Sequence, residues 1–210
     1  NLSDVLGLVI AWTASILTAR PPSARFTYGF KSSSILAALA NASLLLIALG
    51  AILVETIRRL VHPEPVAGGP VMIVAAIGIA VNTVTALMFM RGRHHDINVR
   101  GAYLHMAADA AVSAGVVAAG FLITLTGAQW IDPVTSLVIV AVIARGTWGL
   151  LKDSLKMGLH GVPNGIDENA VRAFLAAQPG VCAVHDLHIW PMSTTETAMT
   201  AHLLMPEGAP

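Results

Sequence analysis

Five apolar stretches, at about residues 4–19, 34–57, 70–90, 102–126 and 131–151, make up most of this 210-residue chain. A helix needs about 20 apolar residues to cross the hydrocarbon core of a bilayer. The last four runs meet that length and the first falls slightly short. Composition agrees. Only 11% of residues are charged and the mean hydropathy is +0.72, whereas an average soluble domain is roughly a quarter charged. Such a chain cannot cover a globular surface with polar groups. Disorder is excluded too, because disordered chains are polar and charged. A zero net charge argues against nucleic acid as a partner. The single cysteine, Cys182, excludes a disulfide framework and a cysteine-based zinc cluster.

The connections are polar or rich in Pro and Gly: Arg20-Pro21-Pro22-Ser23, His62-Pro63-Glu64-Pro65, Arg91 to Arg100, and Gly127 to Pro133. Proline there ends or starts a helix. Basic residues then orient the spans. Arg20, Arg25, Lys31, Arg91, Arg93, Arg100, Arg145, Lys152 and Lys156 fall on one side, and only Arg58 and Arg59 on the other. The larger group is expected in the cytoplasm, together with the C-terminal tail. Asn1 opens directly on an apolar run with no signal-peptide pattern. The chain therefore reads as a piece of a longer protein, and a further span before Asn1 would bring both true ends to the cytoplasm.

The character changes after the fifth run, giving an expected division into a membrane domain, 1–157, and a soluble part, 158–210. Asp167-Glu168 opens a helical stretch to about Ala177, with Val171, Phe174 and Leu175 on one face. Pro179-Gly180 signals a turn. Val181 to Met192 and Thr197 to Met205 read as two strands around the polar link Ser193 to Glu196. A piece this small is too short for an independent core.

Acidic residues deep in a span cost roughly 2.5–3.5 kcal/mol on insertion scales, so they default to functional candidates. Asp4 stands near the start of the first run and Asp109 two turns into the fourth. His105 precedes Asp109 by four residues, which puts both side chains on one helix face. Imidazole and carboxylate together suit a borderline divalent cation such as zinc. In a soluble helix the same pair would read as an ion pair; the span makes metal binding the better reading. Asn41 and Asn82 are read as interhelical hydrogen-bonding groups, and the small residues from Ala107 to Gly115 as a close-packing face. In the tail, His185 and His202 can meet across a hairpin, and strict alternation puts His188 on the opposite face with Asp186 and Trp190. His160, at the membrane exit, is a weaker candidate ligand. His94-His95-Asp96 in a loop can capture metal loosely or simply be solvated.

At this point the sequence resembles the cation diffusion facilitator family of proton-coupled zinc transporters. Asn1-Leu2-Ser3-Asp4-Val5 is similar to the end of that family's second-helix His-x-x-x-Asp motif, with the His falling before Asn1. Arg25-Phe26-Thr27-Tyr28-Gly29-Phe30-Lys31 resembles the loop into helix three, Arg100 to His105 with Asp109 the fifth-helix motif, and Trp130-Ile131-Asp132-Pro133 the start of helix six. Gly161-Val162-Pro163 and Val184 to Trp190 resemble the cytoplasmic domain. The matches run through the whole chain in order.

The resemblance implies an α-helical polytopic membrane bundle, with five of six transmembrane helices present. A truncated α+β cytoplasmic domain of ferredoxin-like fold would follow it. It implies that Asp4, His105, Asp109 and a His before Asn1 form a tetrahedral transport site, and that His185 and His202 match positions able to bind a regulatory ion. It further implies a homodimer in the lipid of a bacterial cell membrane, exchanging Zn2+ for protons without an organic cofactor. Mn, Co, Cd or Fe are alternative cargoes. Other classes are a membrane metallohydrolase, which would need a nearby general base, and a metal sensor using only the tail histidines. The chain departs from the family pattern in two places: residues 20–30 lack the Asp and His ligands of some members, and the His-rich loop is reduced to His94-His95-Asp96.

Overall fold

The computed structural model describes residues 2–62 and 69–206, and the side chains of 2–5, 69–72 and 74 are outside that description. Most of the His62-Pro63-Glu64-Pro65 connection and the last four residues lie outside the described residues. Five long helices come first: α1 (Leu2–Thr18), α2 (Ser33–Val61), α3 (Gly69–Phe89), α4 (Ile97–Thr126) and α5 (Ile131–Gly158). Then follow α6 (Glu168–Ala176), β1 (Ala183–Pro191) and β2 (Thr197–Leu204). Among the described residues α2, α4 and α5 are each long and apolar enough to cross a membrane, and α1 and α3 contribute shorter apolar stretches.

The helices outrun the apolar stretches because local chemistry sets their ends. α4 begins at Ile97 rather than near 102, since extended Asp96 caps it by accepting from the Asn98 amide at 2.8 Å. It stops at Gly127, whose φ of 70° is comfortable only without a Cβ and whose N–H donates to the Ile123 carbonyl. α5 continues past the apolar run through Lys152, Asp153 and Lys156 to Gly158.

Two ion pairs sort the helix ends. Arg59 near the end of α2 meets buried Asp132 at the start of α5 at 3.6 Å. Arg100 at the start of α4 meets Asp153 near the end of α5 at 2.5 Å. Asp132 and Asp153 are separated by about 31 Å of helix at 1.5 Å per residue, the thickness of a hydrocarbon core. The pairs therefore mark the two ends of one bundle. Arg58 and Arg59 stand at one end and the α3–α4 and α5–tail connections at the other, as the basic-residue asymmetry requires.

α4 occupies the centre, packing on α3, α5, α2 and α1. Its small residues allow this. A Cβ on Gly115 would lie 2.3 Å from Ile139 Cδ1 of α5, and one on Gly78 of α3 would lie 3.3 Å from Ser113 Oγ. Ala42, Leu45 and Leu150 form the buried core where α2, α4 and α5 meet. α3 instead presents Ile73, Ile77, Val81, Val84 and Met88 outward, all more than half exposed. Such a stripe suits lipid, not water. Trp12, Trp130 and Trp148 are also exposed, fitting contact with the bilayer.

The tail is a small α+β unit. Asp167 caps α6 through the Asn169 amide at 2.9 Å. Arg172 pairs with Glu168 at 2.5 Å and reaches the Val184 carbonyl at 3.4 Å, holding the helix on β1. The strands pair antiparallel, with His185 opposite His202 and His188 opposite Thr200. Strict alternation across His185–Trp190 is therefore incorrect. A β-bulge intervenes, with Asp186 at φ 47°, and the extra residue shifts the alternation. Residues opposite one another share a face, so His185, His188 and Trp190 share theirs with His202, Thr200 and Ala198. Phe174 of α6 remains exposed.

The link between the strands docks on the membrane bundle. Lys31 forms an ion pair with Glu196, and the Thr194 amide donates to Ser34 Oγ at 3.1 Å. Asn98 Nδ2 donates to the Ser34 carbonyl at 3.2 Å. The start of α2 thus holds both the tail hairpin and the start of α4.

Candidate metal centre

His105 and Asp109 lie one turn apart on α4, with Nε2 and Oδ2 separated by 3.7 Å. The side chains are 17% and 29% exposed, which leaves them reachable inside an apolar bundle. Asp4 belongs to α1, but its side chain lies outside the described residues. Among the described residues, no three His, Cys, Asp or Glu side chains gather into a metal-binding group.

A cavity of about 140 Å³ adjoins His105, lined also by Asn98, Ala102 and Met106 of α4, Asn41 of α2 and Thr85 of α3. Positions 98, 102, 105 and 106 fall on one face of the helix. The cavity therefore follows α4 from its first turn to His105, a rise of about 10 Å. Asn98 and Thr85 add polar atoms to that wall; the signal for Asn98 in the sequence was its helical spacing to His105, and Thr85, on α3, had none.

Asn41 of α2 lies between Gly7 of α1 and Gly101 of α4. A Cβ on Gly101 of α4 would lie 2.7 Å from its Nδ2, and a Cβ on Gly7 of α1 2.9 Å from its Oδ1. A Cβ at either position would require the amide to shift.

In the tail, His202 Nδ1 lies 3.2 Å from Asp186 Oδ2, next to the His185–His202 pair, with His202 and Asp186 largely exposed. His160, at φ 58°, lines instead a cleft of about 840 Å³ with His188 and Trp190. It thus stands with His188 at the junction of bundle and tail. His94 and His95 line a separate crevice with Asp96 and Asp153.

Comparison with known proteins bears on the whole chain. The cation efflux transmembrane domain matches residues 1–157, and the cytoplasmic domain of cation efflux proteins matches residues 163–210. The chain belongs to the cation efflux family. Among its relatives is the cation efflux system protein CzcD of Alcaligenes sp. (strain CT14), 36% identical over 203 residues, covering 97% of this chain and 64% of the relative. The cadmium, cobalt and zinc/H(+)-K(+) antiporter of Bacillus velezensis is 32% identical over 206 residues, covering 97% and 66%. The zinc transporter ZitB of Pectobacterium atrosepticum is 34% identical over 203 residues, covering 96% and 63%. The chain thus spans just under two thirds of the length of these relatives. The family match accounts for a multi-pass helical bundle followed by a small α+β domain.

Proposed function

We propose that this protein exports a divalent metal cation, Zn2+ in the first place, from the cytoplasm in exchange for protons. The observation that carries the reading is the His105–Asp109 pair, whose His105 lines a largely apolar cavity that begins at the first turn of α4. Relatives named as cadmium, cobalt and zinc antiporter and as zinc transporter support it.

Helix depth adds support. Gly7 and Gly101 flank the same Asn41 amide, so they lie at one level. Moving three residues back along α1 to Asp4 and four forward along α4 to His105 covers about 4.5 and 6 Å. For antiparallel helices both steps go deeper, so Asp4 comes level with His105. Asp4, His105 and Asp109 together offer two carboxylates and an imidazole, a donor set suited to zinc.

Metal requires deprotonated ligands, so metal and protons compete for the same atoms. Metal entering along the α4 cavity displaces protons, and protons arriving from the far side displace metal. Rocking of the bundle around a fixed midplane site gives alternating access. The tail histidines His185 and His202, with Asp186, form a regulatory cation site at the hairpin, and the functional unit is a homodimer.

Zinc uptake by everted membrane vesicles tests the reading. Asp109→Ala and His105→Ala should abolish uptake while the protein remains in the membrane at wild-type levels. Uptake that survives both substitutions would remove the site from the pathway.

A further inference from the structure

A second charged crevice lies at the tail end of the bundle, apart from the metal centre. Arg93, Arg100 and Lys156 line it, with Asp96, Asp153 and Asn164. The two carboxylates are engaged: Asp153 pairs with Arg100 at 2.5 Å and accepts from Asn164 Nδ2 at 3.2 Å, and Asp96 caps α4. Among the described residues Lys156 donates to an amide oxygen, that of Asn164, at 2.9 Å. Arg93 is half-buried, its Nε donates to His94 Nε2 at 3.2 Å, and its guanidinium lies over the Tyr103 ring at 4.5 Å. Among the described residues neither Arg93 nor Lys156 makes an ion pair.

Two cations that pair with neither carboxylate of the crevice leave a place for an anion. Arg93 is held by the ring and His94, so the outer fork of the guanidinium is pre-set for a tetrahedral oxyanion. The crevice also sits at headgroup depth: Arg100 and Tyr103 lie within the first two turns of α4, where its apolar span begins. Basic pockets between helices at the cytoplasmic face accept phosphate headgroups. We infer that Arg93, with Lys156 in the same crevice, binds a phosphate-bearing anion at the membrane surface. Its depth favours the headgroup of an anionic phospholipid as the source.

The test is lipid retention. The protein is purified in mild detergent from membranes holding phosphatidylethanolamine, phosphatidylglycerol and cardiolipin, and retained lipid is quantified by mass spectrometry. Wild type should hold anionic lipid in preference to phosphatidylethanolamine. Arg93→Gln should lower that retention about fivefold, Arg93→Lys should keep part of it, and Lys152→Gln, outside the crevice, should change nothing. Lys156→Gln, with a smaller loss, serves should Arg93→Gln fail to fold. A parallel arm adds millimolar inorganic phosphate. Retention that resists it assigns the headgroup, while displacement keeps the site and assigns free phosphate. Equal anionic-lipid retention by wild type, Arg93→Gln and Lys156→Gln overturns the inference.

Discussion

The side-chain amide of Asn41 on α2 lies so close over Gly101 on α4 that a methyl group added there would stand 2.7 Å from Nδ2. The same amide faces Gly7 of α1. One polar side chain therefore keys three helices together, one turn of α4 from His105.

Gly101→Ala should cost about 1–3 kcal/mol, the usual range for forcing a methyl group into a packed site. It should appear as a lower melting temperature in detergent. The same change in an Asn41→Ala background should cost little, because the obstructing amide is gone. Equal costs in both backgrounds would show that the two residues do not meet.

A second contact of this kind joins α4 to α5. Gly115→Ala should destabilise the bundle, since its Cβ would lie 2.3 Å from Ile139 Cδ1. Ile139→Val deletes that atom, so the double variant should recover much of the lost thermal stability. A melting curve for each of the three proteins decides the matter.

The bulge in β1 makes a third claim. Asp186 holds φ 47°, a left-handed conformation that costs an L-residue roughly 1–2 kcal/mol. Asp tolerates it better than a β-branched residue does. Asp186→Val should therefore destabilise the tail, and Asp186→Gly should be near neutral for folding, as read by chemical denaturation of each variant. Zinc binding at His185 and His202 should weaken in both, since each loses the carboxylate 3.2 Å from His202.

Much of this was legible in the sequence because bilayers impose length. Helices α2 to α5 match the apolar runs, and the basic asymmetry anticipates which ends lie together. The contact between His105 and Asp109 was legible because the four-residue spacing fixes a shared face. The sequence was weaker where a single residue alters local geometry. Alternation placed His188 away from His185, and one bulged residue at Asp186 put it back on that face. The fit of Asn41 against Gly7 and Gly101 was not legible, because it depends on how three separate helices pack. The Arg93 crevice is built from three separate segments, and no spacing rule connects those.

Topology can be checked directly. In a Cys182→Ser background, Arg58→Cys should react with an impermeant maleimide added outside intact cells, and Lys152→Cys should react only after the membrane is opened. Labelling of both from one side would contradict the arrangement marked by the Arg59–Asp132 and Arg100–Asp153 pairs.

The most direct measurement is proton release driven by zinc. Purified protein is reconstituted in liposomes loaded with a pH-sensitive dye, zinc is added outside, and internal zinc and pH are followed together. Exchange through the α4 site requires the interior to become more alkaline as zinc enters, with both signals lost in Asp109→Ala and His105→Ala. Zinc entry without any pH change, or paired fluxes that persist in both variants, would contradict metal-for-proton exchange at His105 and Asp109.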